Sequence, residues 1–378
     1  MCDKIRVLHV TEMLQAAGIE SFIMNVYRNI DRERIQFDFF ITRDEKEFYD
    51  DEISKLGGKK FVTNFNQNSN VFIRVLKESK ALYKFLKKSD YQIIHVHSGT
   101  PLRIFYLLAA KCAGVKKRIY HSHSAEVKGP HSNLGIKKVI FKFLKVFFPL
   151  FGTDFFACSK AAGEWMYTKN MIRHDKVRVI YNGINSIEFQ YDEEVRKVYR
   201  KELGLENKFV IGHVGRFNTQ KNHTFLIDIF REIQTMDKQT VLLLLGEGEL
   251  EGNIREKVSN LNLSETVKFL GVRHDVNKVM QAMDAFVLPS NYEGLPVVGV
   301  EAQAAGLPMF CSDNITNEVV ITPNINLLSL NLSAKEWAKI IMQKGKKNHR
   351  KNMLDYIVKS GYDISKSVND LQKFYEGR

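Results

Sequence analysis

Two segments of this sequence combine charged side chains with a glycine or proline turn. The first is Gly215-Arg216-Phe217-Asn218-Thr219-Gln220-Lys221-Asn222, which places an arginine and a lysine five residues apart. The arginine offers a planar fork of donors and the lysine a mobile point charge, so the pair suits a diphosphate. The alternative interpretation is a solvated basic pair in front of an ordinary helix.

The second segment carries two glutamates eight residues apart, in Glu293-Gly294-Leu295-Pro296-Val297-Val298-Gly299-Val300-Glu301. It follows the apolar run Ala285–Leu288, which predicts a strand, a loop and the start of a helix. Gly294 lets a ligand approach the loop backbone, and Pro296 suits a first helical turn, whose free N–H groups favour an anion. Alternatively, Glu301 is a helix-surface carboxylate and Glu293 a capping group.

The elements that would position these segments form an alternating pattern of strands and helices. Short apolar runs separated by periodic helical stretches are typical of α/β proteins with parallel sheets covered on both faces. The predicted strands are Ile5–Val10, Gln36–Ile41, Gln92–Val96, Lys117–His121, Asp154–Cys158, Val177–Tyr181, Phe209–Val214, Thr240–Leu245, Val267–Leu270, Ala285–Leu288 and Leu307–Cys311.

A strand that runs into a glycine turn and a helix occurs twice, at Ile5 and at Phe209. We therefore expect two Rossmann-like domains, residues 1–183 and 184–360, because 378 residues are too many for one ordinary core. Residues 361–378 are expected to form an amphipathic helix that crosses back to the first domain. The alternatives are one large sheet, which would need more than about ten strands, and a terminal helix that completes the second domain.

Composition narrows the class of protein. Hydrophobic residues make up 44% and charged residues 26% of the chain, which excludes disordered and fibrous proteins. The four cysteines form no C-x-x-C pair, so a disulfide scaffold and a zinc ribbon are unexpected, and a reducing cytoplasm fits. We identify no signal peptide and no run of eighteen apolar residues, which predicts a protein without a spanning helix.

The net charge of +13 is concentrated in one part of the chain. Residues 51–150 hold 19 basic and 5 acidic side chains, whereas residues 201–378 hold 22 and 21. Such a distribution indicates one face that meets an anionic partner.

Lysines and arginines recur with helical spacing inside this block. One predicted helix carries Arg74, Lys77, Lys80, Lys84 and Lys87/Lys88, and a second, Ile136–Phe151, carries Lys138, Lys142 and Lys145 among phenylalanines. Basic faces beside aromatic residues are typical of helices that bind a membrane surface, so we predict an anionic membrane as partner of residues 70–150. Ordinary helices with solvated lysines are the alternative. Nucleic acid is not expected, because no recognition module is present.

The Arg216/Lys221 turn and the Glu293/Glu301 segment together resemble the nucleotide-binding half of retaining glycosyltransferases of the GT-B fold, family 4, of the bacterial capsular and exopolysaccharide type. Further similar segments follow in the family's order along the whole chain. They are Ala17-Gly18-Ile19-Glu20, His95-Val96-His97, Tyr120-His121-Ser122-His123, Ala157-Cys158-Ser159-Lys160, Tyr181-Asn182-Gly183-Ile184-Asn185, Leu245-Gly246-Glu247-Gly248 and Phe269-Leu270-Gly271-Val272.

The resemblance implies a role for individual residues. Arg216 and Lys221 would neutralise the diphosphate leaving group, Glu301 would accept hydrogen bonds from the ribose, and Glu293 would accept them from the transferred sugar. The catalytic set implied is Lys221, Arg216, Glu293 and His123. The donor-binding set implied is Gly18, Gly215, Arg216, Lys221, Gly246, Val272, Arg273, Glu293, Gly294, Leu295, Pro296, Val297 and Glu301.

The orientation of two histidines and the composition of the first glycine loop can also be compared with the family pattern. We expect His121 and His123 to point to opposite faces of an extended stretch, and we choose His123 as the one that meets the sugar; a core role is the alternative. Ala17 stands where the family commonly has a second glycine. Because of this departure, we expect the loop to come less close to a phosphate than it does in the family pattern.

The resemblance implies sugar transfer with retention from a nucleotide sugar, with UDP as the expected nucleotide, to a polyprenyl-diphosphate-linked saccharide in surface polysaccharide synthesis. It implies a GT-B fold with an interdomain cleft and an enzyme held at the inner face of the cell membrane. No D-x-D triplet occurs, so no metal and no further cofactor are expected. The alternatives are a sugar-nucleotide 2-epimerase and a non-catalytic membrane-associated scaffold that binds sugar nucleotides.

Overall fold

The computed structural model describes residues 4–15, 18–43, 48–63, 65, 70–124, 135–347 and 350–378, apart from the side chains of 136–138. The chain divides into two compact units. Unit 1 comprises Met1–Gly183 and Ile364–Arg378, and unit 2 comprises Ile184–Asp363.

Unit 1 is built on a parallel sheet of seven strands in the order β3-β2-β1-β4-β5-β6-β7. Its strands are β1 Ile5–Thr11, β2 Ile35–Ile41, β3 Lys60–Val62, β4 Ile93–Ser98, β5 Lys117–Ser122, β6 Asp154–Ala157 and β7 Val177–Val179. Its first helices are α1 Gly18–Asn29, α2 Asp50–Lys55, α3 Val71–Leu86, α4 Ile104–Ala113, α5 Gly135–Lys145, α6 Phe148–Phe151, α7 Lys160–Met166 and α8 Lys169–Arg173. A 3₁₀ turn, Pro101–Arg103, precedes α4.

Unit 2 contains a second parallel sheet, of six strands in the order β10-β9-β8-β11-β12-β13. Its strands are β8 Phe209–Val214, β9 Thr240–Leu245, β10 Val267–Gly271, β11 Ala285–Leu288, β12 Met309–Ser312 and β13 Ile325–Leu328. The remaining helices are α9 Ser186–Phe189, α10 Glu193–Glu202, α11 His223–Met236, α12 Glu251–Asn260, α13 Val276–Ala282, α14 Val297–Ala304, α15 Ala334–Gly345, α16 Leu354–Ser360 and α17 Ile364–Glu376, the last in unit 1.

Each sheet is buried on both faces, which is why its strands read as continuous apolar runs. In β1, Leu8 and Val10 belong to one hydrophobic cluster and Val7 to another, because successive side chains of a strand point to opposite faces. Unit 2 repeats this division in β9, between Leu242 and Leu243. The α/β prediction with two Rossmann-like sheets is confirmed.

Two strands were not predicted, β3 and β13. Both lie at a sheet edge and are only three and four residues long, and most of their residues are partly exposed. Short edge strands of this kind carry little of the apolar signal on which a sequence-based prediction depends.

The C-terminal helix α17 packs against α1 in unit 1. Leu371 and Phe374 join the hydrophobic cluster on that face of the sheet. Ser367 Oγ donates a hydrogen bond to the carbonyl of Tyr181, 2.8 Å away, so polar contacts also hold the helix.

The basic helices differ from the sequence-based expectation in detail. On α3 the side chains of Lys77, Lys80 and Lys84 are exposed, but Arg74 is largely buried beside Glu78. The predicted helix Ile136–Phe151 is two helices, α5 and α6, and Lys145 does not share a basic face: it lies over the Trp165 ring, 4.7 Å from the centroid. Lys138 lies outside the described side chains. Every helix of the described ranges is too short or too polar to cross a bilayer.

An apolar surface accompanies those lysines. Its residues, which we call the apolar face, are large hydrophobic side chains left exposed on α3 and on or just after α5 and α6. They are Val71, Phe72, Ile73, Leu76, Val139, Ile140, Phe143, Val146 and Leu150. Both α3 and α5 contact the turn Pro101–Arg103, so the two halves of the face are neighbours in unit 1.

Candidate active site

Two loops of unit 2 are joined at the carboxyl edge of its sheet. One follows β8 and the other follows β11, and these strands are adjacent and parallel, so both loops leave the sheet on the same side. The backbone N–H of Asn291 donates to the Gln220 carbonyl at 2.8 Å, and the Asn291 side chain donates to the Thr219 carbonyl at 2.7 Å. Asn222 completes the join by donating to the Pro289 carbonyl at 3.1 Å.

The join brings Lys221 and Glu293 together. Lys221 Nζ lies 2.5 Å from Glu293 Oε1, and both side chains are mostly buried. Ser290 Oγ donates to the same carboxylate oxygen at 3.0 Å, and Gln220 Nε2 donates to the other at 3.0 Å. One charge from each predicted segment, Lys221 and Glu293, therefore sits in one hydrogen-bonded group, with Glu293 held by three donors.

Gln220 and Ser290 are site residues that the sequence reasoning did not select. Gln220 is next to Lys221 and Ser290 lies three residues before Glu293, but a glutamine and a serine carry no charge pattern that would single them out. Only the pairing of β8 with β11 shows that both loops supply donors to the same carboxylate.

Glycines allow the loops after β8 and β9 to approach this group closely. A Cβ on Gly246 would lie 2.3 Å from the Gly215 carbonyl oxygen, and Gly246 has a φ of +124°. A Cβ on Gly215 would lie 3.0 Å from Lys221 Cε. Gly246 is thus required by packing, because any side chain there would collide with the Gly215 backbone, whereas a Cβ on Gly215 would be tight only against the side chains of Lys221 and His213.

Helix α14 begins at the same edge and carries Glu301. Pro296 is the residue before its first turn, and Gly294, Leu295 and Val297 form the loop end and helix start, as predicted. The Glu301 carboxylate accepts no hydrogen bond from the described residues, and burial raises its pKa from 4.5 to about 7. The Glu301 carboxyl is therefore half-ionised near neutral pH. It can accept hydrogen bonds, but no described side chain donates one to it.

The other predicted donor residues of unit 2 are less enclosed. The Arg216 side chain is 63% exposed and lies 3.7 Å from Glu249 Oε2, a weak ion pair. Arg273 forms two hydrogen bonds of 2.7 and 2.6 Å with Asp275, and Val272 is exposed. The diphosphate role of Arg216 and donor binding by Val272 and Arg273 stay predictions.

Two buried histidines lie next to Lys221 and were not predicted. The His213 Nδ1–H donates to the Val287 carbonyl at 2.8 Å, and its ring stands edge-on to His223 with centroids 4.6 Å apart. Burial lowers the pKa of His223 to about 4 and that of His213 well below 6.5, and the nearby Lys221 charge lowers both further. Both rings are therefore neutral and leave the positive charge of this edge to the lysine.

In unit 1, Gly18 and His123 follow strand ends. Gly18 is the first residue of α1, and a Cβ there would meet no atom within 4 Å, so packing does not demand glycine. Ala17 lies outside the described residues. The predicted contacts of Gly18 and His123 with a donor stay predictions.

The expectation that His121 and His123 point to opposite faces is wrong. Their rings lie side by side, with centroids 4.2 Å apart, because residues two apart in an extended strand share a face. His123 is nevertheless the outer of the two, since His121 is fully buried.

His123 is the end of a chain of imidazoles. His9 Nδ1 is 2.9 Å from His97 Nε2, and His97 Nδ1 is 2.9 Å from His123 Nε2. A second chain links Tyr375 Oη to His95 and then to His121, at 2.7 and 3.2 Å. Burial lowers the pKa of His9 and of His123 to about 3, so these rings are neutral.

These histidines are also the described residues that could hold a metal ion. Nitrogen atoms of His9, His95 and His97, and of His97, His121 and His123, lie within 4.8 Å of one another in each set. The same nitrogens form the hydrogen bonds between rings, and no carboxylate belongs to either set. The imidazole chains thus account for the arrangement without a cation.

Two family models match the chain in succession. The model "Glycosyltransferase Family 4" matches residues 16–187, and the model "Glycosyl transferases group 1" matches residues 195–360.

Relatives match over nearly the full length. The EpsF protein of Bacillus subtilis (strain 168) is 32% identical over 98% of this chain and 96% of its own. The UDP-Gal:alpha-D-GlcNAc-diphosphoundecaprenol alpha-1,3-galactosyltransferase of Escherichia coli is 27% identical over 99% of this chain and 97% of its own.

A solved structure shares the fold. The Anabaena protein Alr3699/HepE, in complex with UDP and glucose, superposes with a TM-score of 0.75 over 99% of this chain and 100% of its own, at 18% identity.

Proposed function

This chain belongs to the family 4 glycosyltransferases of the GT-B fold, and we propose that it is a retaining, metal-independent hexosyltransferase that uses a UDP-sugar. Its acceptor is a polyprenyl-diphosphate-linked saccharide, and its product is an intermediate of a bacterial surface polysaccharide. The Escherichia coli relative is named for transfer from UDP-Gal to such an acceptor, and HepE for a complex with UDP. The first name supports the donor and acceptor classes, and the second supports the nucleotide.

The observation that carries the proposal is the Lys221–Glu293 group at the edge of unit 2. Lys221 and the exposed Arg216 bring the positive charge that a departing diphosphate needs. Glu293 is fixed by Ser290 and Gln220, so it can orient the lysine and accept a hydrogen bond from a sugar hydroxyl.

Glu301 and α14 provide the complementary part of a nucleotide-sugar site. A carboxylate that accepts no hydrogen bond from the described residues suits the paired hydroxyls of a ribose, and the N–H groups of the first helical turn suit a phosphate. Proton transfer from the acceptor hydroxyl to the departing phosphate requires no carboxylate nucleophile, which leaves Glu293 as a binding residue.

The direct test is a transfer assay with radiolabelled UDP-sugars and a prenyl-diphosphate saccharide, in the presence of EDTA. We expect Lys221→Ala to lower kcat at least about 100-fold, because it removes the charge that stabilises the leaving group. Lys257→Ala is the matched control, since it removes another lysine–carboxylate pair, with Asp228 at 2.7 Å. Retention is read from the anomeric configuration of the product by NMR.

Four outcomes contradict the proposal. Unchanged transfer by Lys221→Ala refutes the diphosphate role, and loss of transfer on EDTA treatment refutes metal independence. Wild-type protein that converts a UDP-sugar to an epimer without acceptor is a 2-epimerase, and protein that binds UDP-sugars without any turnover is a scaffold.

The apolar face supports a second part of the proposal, binding to an anionic membrane through residues 70–150. Phe72 on α3 is 44% exposed, and Phe143 on α5 is 64% exposed. The lysines of α3 are exposed on the same helix as Phe72. Exposed aromatic residues next to lysines match a lipid headgroup region better than water.

Vesicle sedimentation tests this part. We expect stronger binding to vesicles with anionic lipid than to neutral ones, and a severalfold loss in Phe72→Ser/Phe143→Ser, because less apolar area is buried. Ile187→Ser, which changes an equally exposed residue in unit 2, is the control. Equally weak binding to both kinds of vesicle contradicts the membrane role.

A further inference from the structure

Four charged side chains converge at the carboxyl edge of the unit 1 sheet, apart from the histidines. Glu12 follows β1, Arg43 follows β2, Arg103 lies in the turn after β4, and Arg74 lies near the start of α3. Glu12 Oε1 is 3.2 Å from Arg43 Nη2, and Glu12 Oε2 is 2.9 Å from Arg103 Nη2. One carboxylate thus receives two guanidinium groups, one on each oxygen. We call Arg43, Arg74 and Arg103 the arginine cluster.

The arginine cluster has more positive than negative charge. Burial would raise the pKa of Glu12, but the charges of Arg103, Arg43 and Arg74 outweigh burial and hold that pKa below its usual value. The other carboxylate is Glu78, which is buried and lies 3.8 Å from Arg74 Nε. The Tyr106 hydroxyl donates a 2.5 Å hydrogen bond to the other carboxylate oxygen of Glu78. Among the described side chains, three arginines face two carboxylates, which leaves one positive charge in a partly buried place.

Arg43 also has an unused donor. Its Nε–H is buried and has no hydrogen-bond partner among the described residues. A buried guanidinium N–H without an acceptor is costly, and this Nε–H lies on the same edge of the guanidinium as Nη2, the atom that contacts Glu12. The free donor therefore points to a ligand that brings its own acceptor oxygens, and guanidinium forks match phosphate in geometry.

The arginine cluster borders the apolar face. Arg74 comes directly after Val71, Phe72 and Ile73 in the first turn of α3, and the Phe72 ring packs edge-on against Phe105, with centroids 5.7 Å apart. Phe105 lies just beyond the turn that carries Arg103, and α5 contacts that turn. A phosphate at the cluster would have exposed apolar side chains beside it.

We propose that the arginine cluster binds the diphosphate of a prenyl-diphosphate acceptor, with Glu12 as the internal counter-ion that the diphosphate displaces and the apolar face in contact with the prenyl chain. The inference rests on the proposed function, which gives the acceptor class. A free diphosphate shares the headgroup chemistry but lacks the chain, so both are compared in the test.

Calorimetric titration with farnesyl diphosphate, below its aggregation concentration, tests the site. We expect Arg43→Gln to weaken binding at least about tenfold, the loss of one charge-assisted hydrogen bond. Glu12→Gln should tighten it severalfold, because the competing carboxylate charge is removed while the side-chain shape remains. Arg173→Gln, which changes an exposed arginine at the end of α8, is the control and should bind like wild type. Inorganic pyrophosphate should show the same order of variants with weaker binding, and UDP should be unaffected by Arg43→Gln.

The opposite signs expected for Arg43→Gln and Glu12→Gln separate binding from stability. If the cluster only stabilises unit 1, the affinity for farnesyl diphosphate would fall in both variants or stay unchanged in both. Either result overturns the inference. Melting temperatures within a few degrees of wild type confirm that the variants fold. Arg43→Lys keeps the charge but loses the fork, so its affinity for farnesyl diphosphate should lie between those of wild type and Arg43→Gln.

Failure of the inference and of the proposed function give different results. If the wild type binds farnesyl diphosphate and every variant binds equally, the acceptor class stands and the arginine cluster is refuted. If the wild type does not bind it while Lys221-dependent transfer to another acceptor occurs, the prenyl-diphosphate acceptor is refuted and the inference falls with it.

Discussion

Lys221 and Glu293 show how much a single side-chain contact adds to a motif. As sequence, each segment has an ordinary interpretation, a solvated basic pair or a capping carboxylate. Their 2.5 Å contact, together with Ser290 and Gln220, makes those interpretations untenable, because three donors converge on one mostly buried carboxylate. A surface ion pair would contribute little and need no such support.

Glu301 yields a prediction about pH. Its pKa of about 7 means that the ionised acceptor is lost below neutral pH. We expect the KM for the donor to rise up to about tenfold per pH unit below 7, and Glu301→Gln to have a high KM with little dependence on pH. Steady-state kinetics from pH 5.5 to 8.5 measure both, with the exposed Glu256→Gln as control.

The same shift has a consequence for stability. Because the pKa of Glu301 is higher in the folded chain than in the unfolded chain, its stabilising contribution is complete below pH 4.5 and is lost as the pH rises through 7. Glu301→Gln should therefore raise the stability of unit 2 at pH 8, by about 2 kcal/mol. A melting temperature at pH 8 equal to or below that of wild type would contradict the burial of this charge.

At the scale of elements, the loops after β8, β9 and β11 form the site only because their backbones approach closely. The Gly246 backbone passes beside the Gly215 carbonyl with a positive φ, and the Gly215 backbone passes beside Lys221. The sequence placed both glycines at strand ends. The reason that Gly246 must be a glycine is a contact between two loops, which no single segment contains.

Gly246→Ala tests this requirement. Its Cβ would lie 2.3 Å from the Gly215 oxygen in an unfavourable φ region, so we expect a loss of about 2–4 kcal/mol in unit 2 and a large fall in transfer. Gly252→Ala is matched, since it lies in α12 with no atom within 4 Å of the added Cβ, and should change stability by less than about 1 kcal/mol. Denaturant unfolding followed by Trp337 fluorescence measures both, and equal effects would refute the close approach.

The α5 region shows where helical periodicity misleads. A regular spacing of lysines predicts one basic face, yet the helix ends at Lys145, and a new one begins at Phe148 before Pro149. Lys145 lies on the Trp165 ring, a cation–π contact. Tertiary packing against α7 overrides the pattern in this segment.

At the scale of the whole molecule, the two units differ in the number of buried neutral histidines. Five neutral histidines lie in unit 1, in rows that reach from β1 to β5 and, through Tyr375, to α17. Unit 2 holds His213 and His223 in similar surroundings. The response of the protein to acid should therefore begin in unit 1.

Acid unfolding tests this difference. The folded pKa values of the unit 1 histidines lie below the unfolded value of 6.5, so their stabilising contribution is complete above pH 6.5 and is lost as the pH falls towards 3. Each costs about 1.4 kcal/mol per pH unit below 6.5, and we expect unit 1 to lose several kcal/mol by pH 5.

The two tryptophans allow the units to be followed separately. Trp165 belongs to unit 1 and Trp337 to unit 2. Urea midpoints of Trp337→Phe at pH 7 and 5 therefore report unit 1, and those of Trp165→Phe report unit 2. Equal losses in both units, or none in unit 1, would contradict the prediction.

The sequence by itself determined the α/β class, most strands and the residues at their carboxyl ends, because apolar period, glycine and charge are local signals. Tertiary structure decided what those residues touch. It joined Lys221 to Glu293, put His121 and His123 on one face, withdrew Lys145 from the basic face, and assembled the arginine cluster from Glu12, Arg43, Arg74 and Arg103. Those groupings depend on strand order, in which β1 lies between β2 and β4 and β8 beside β11. Strand order is set by the burial of whole sheets, and no local pattern of residues encodes it.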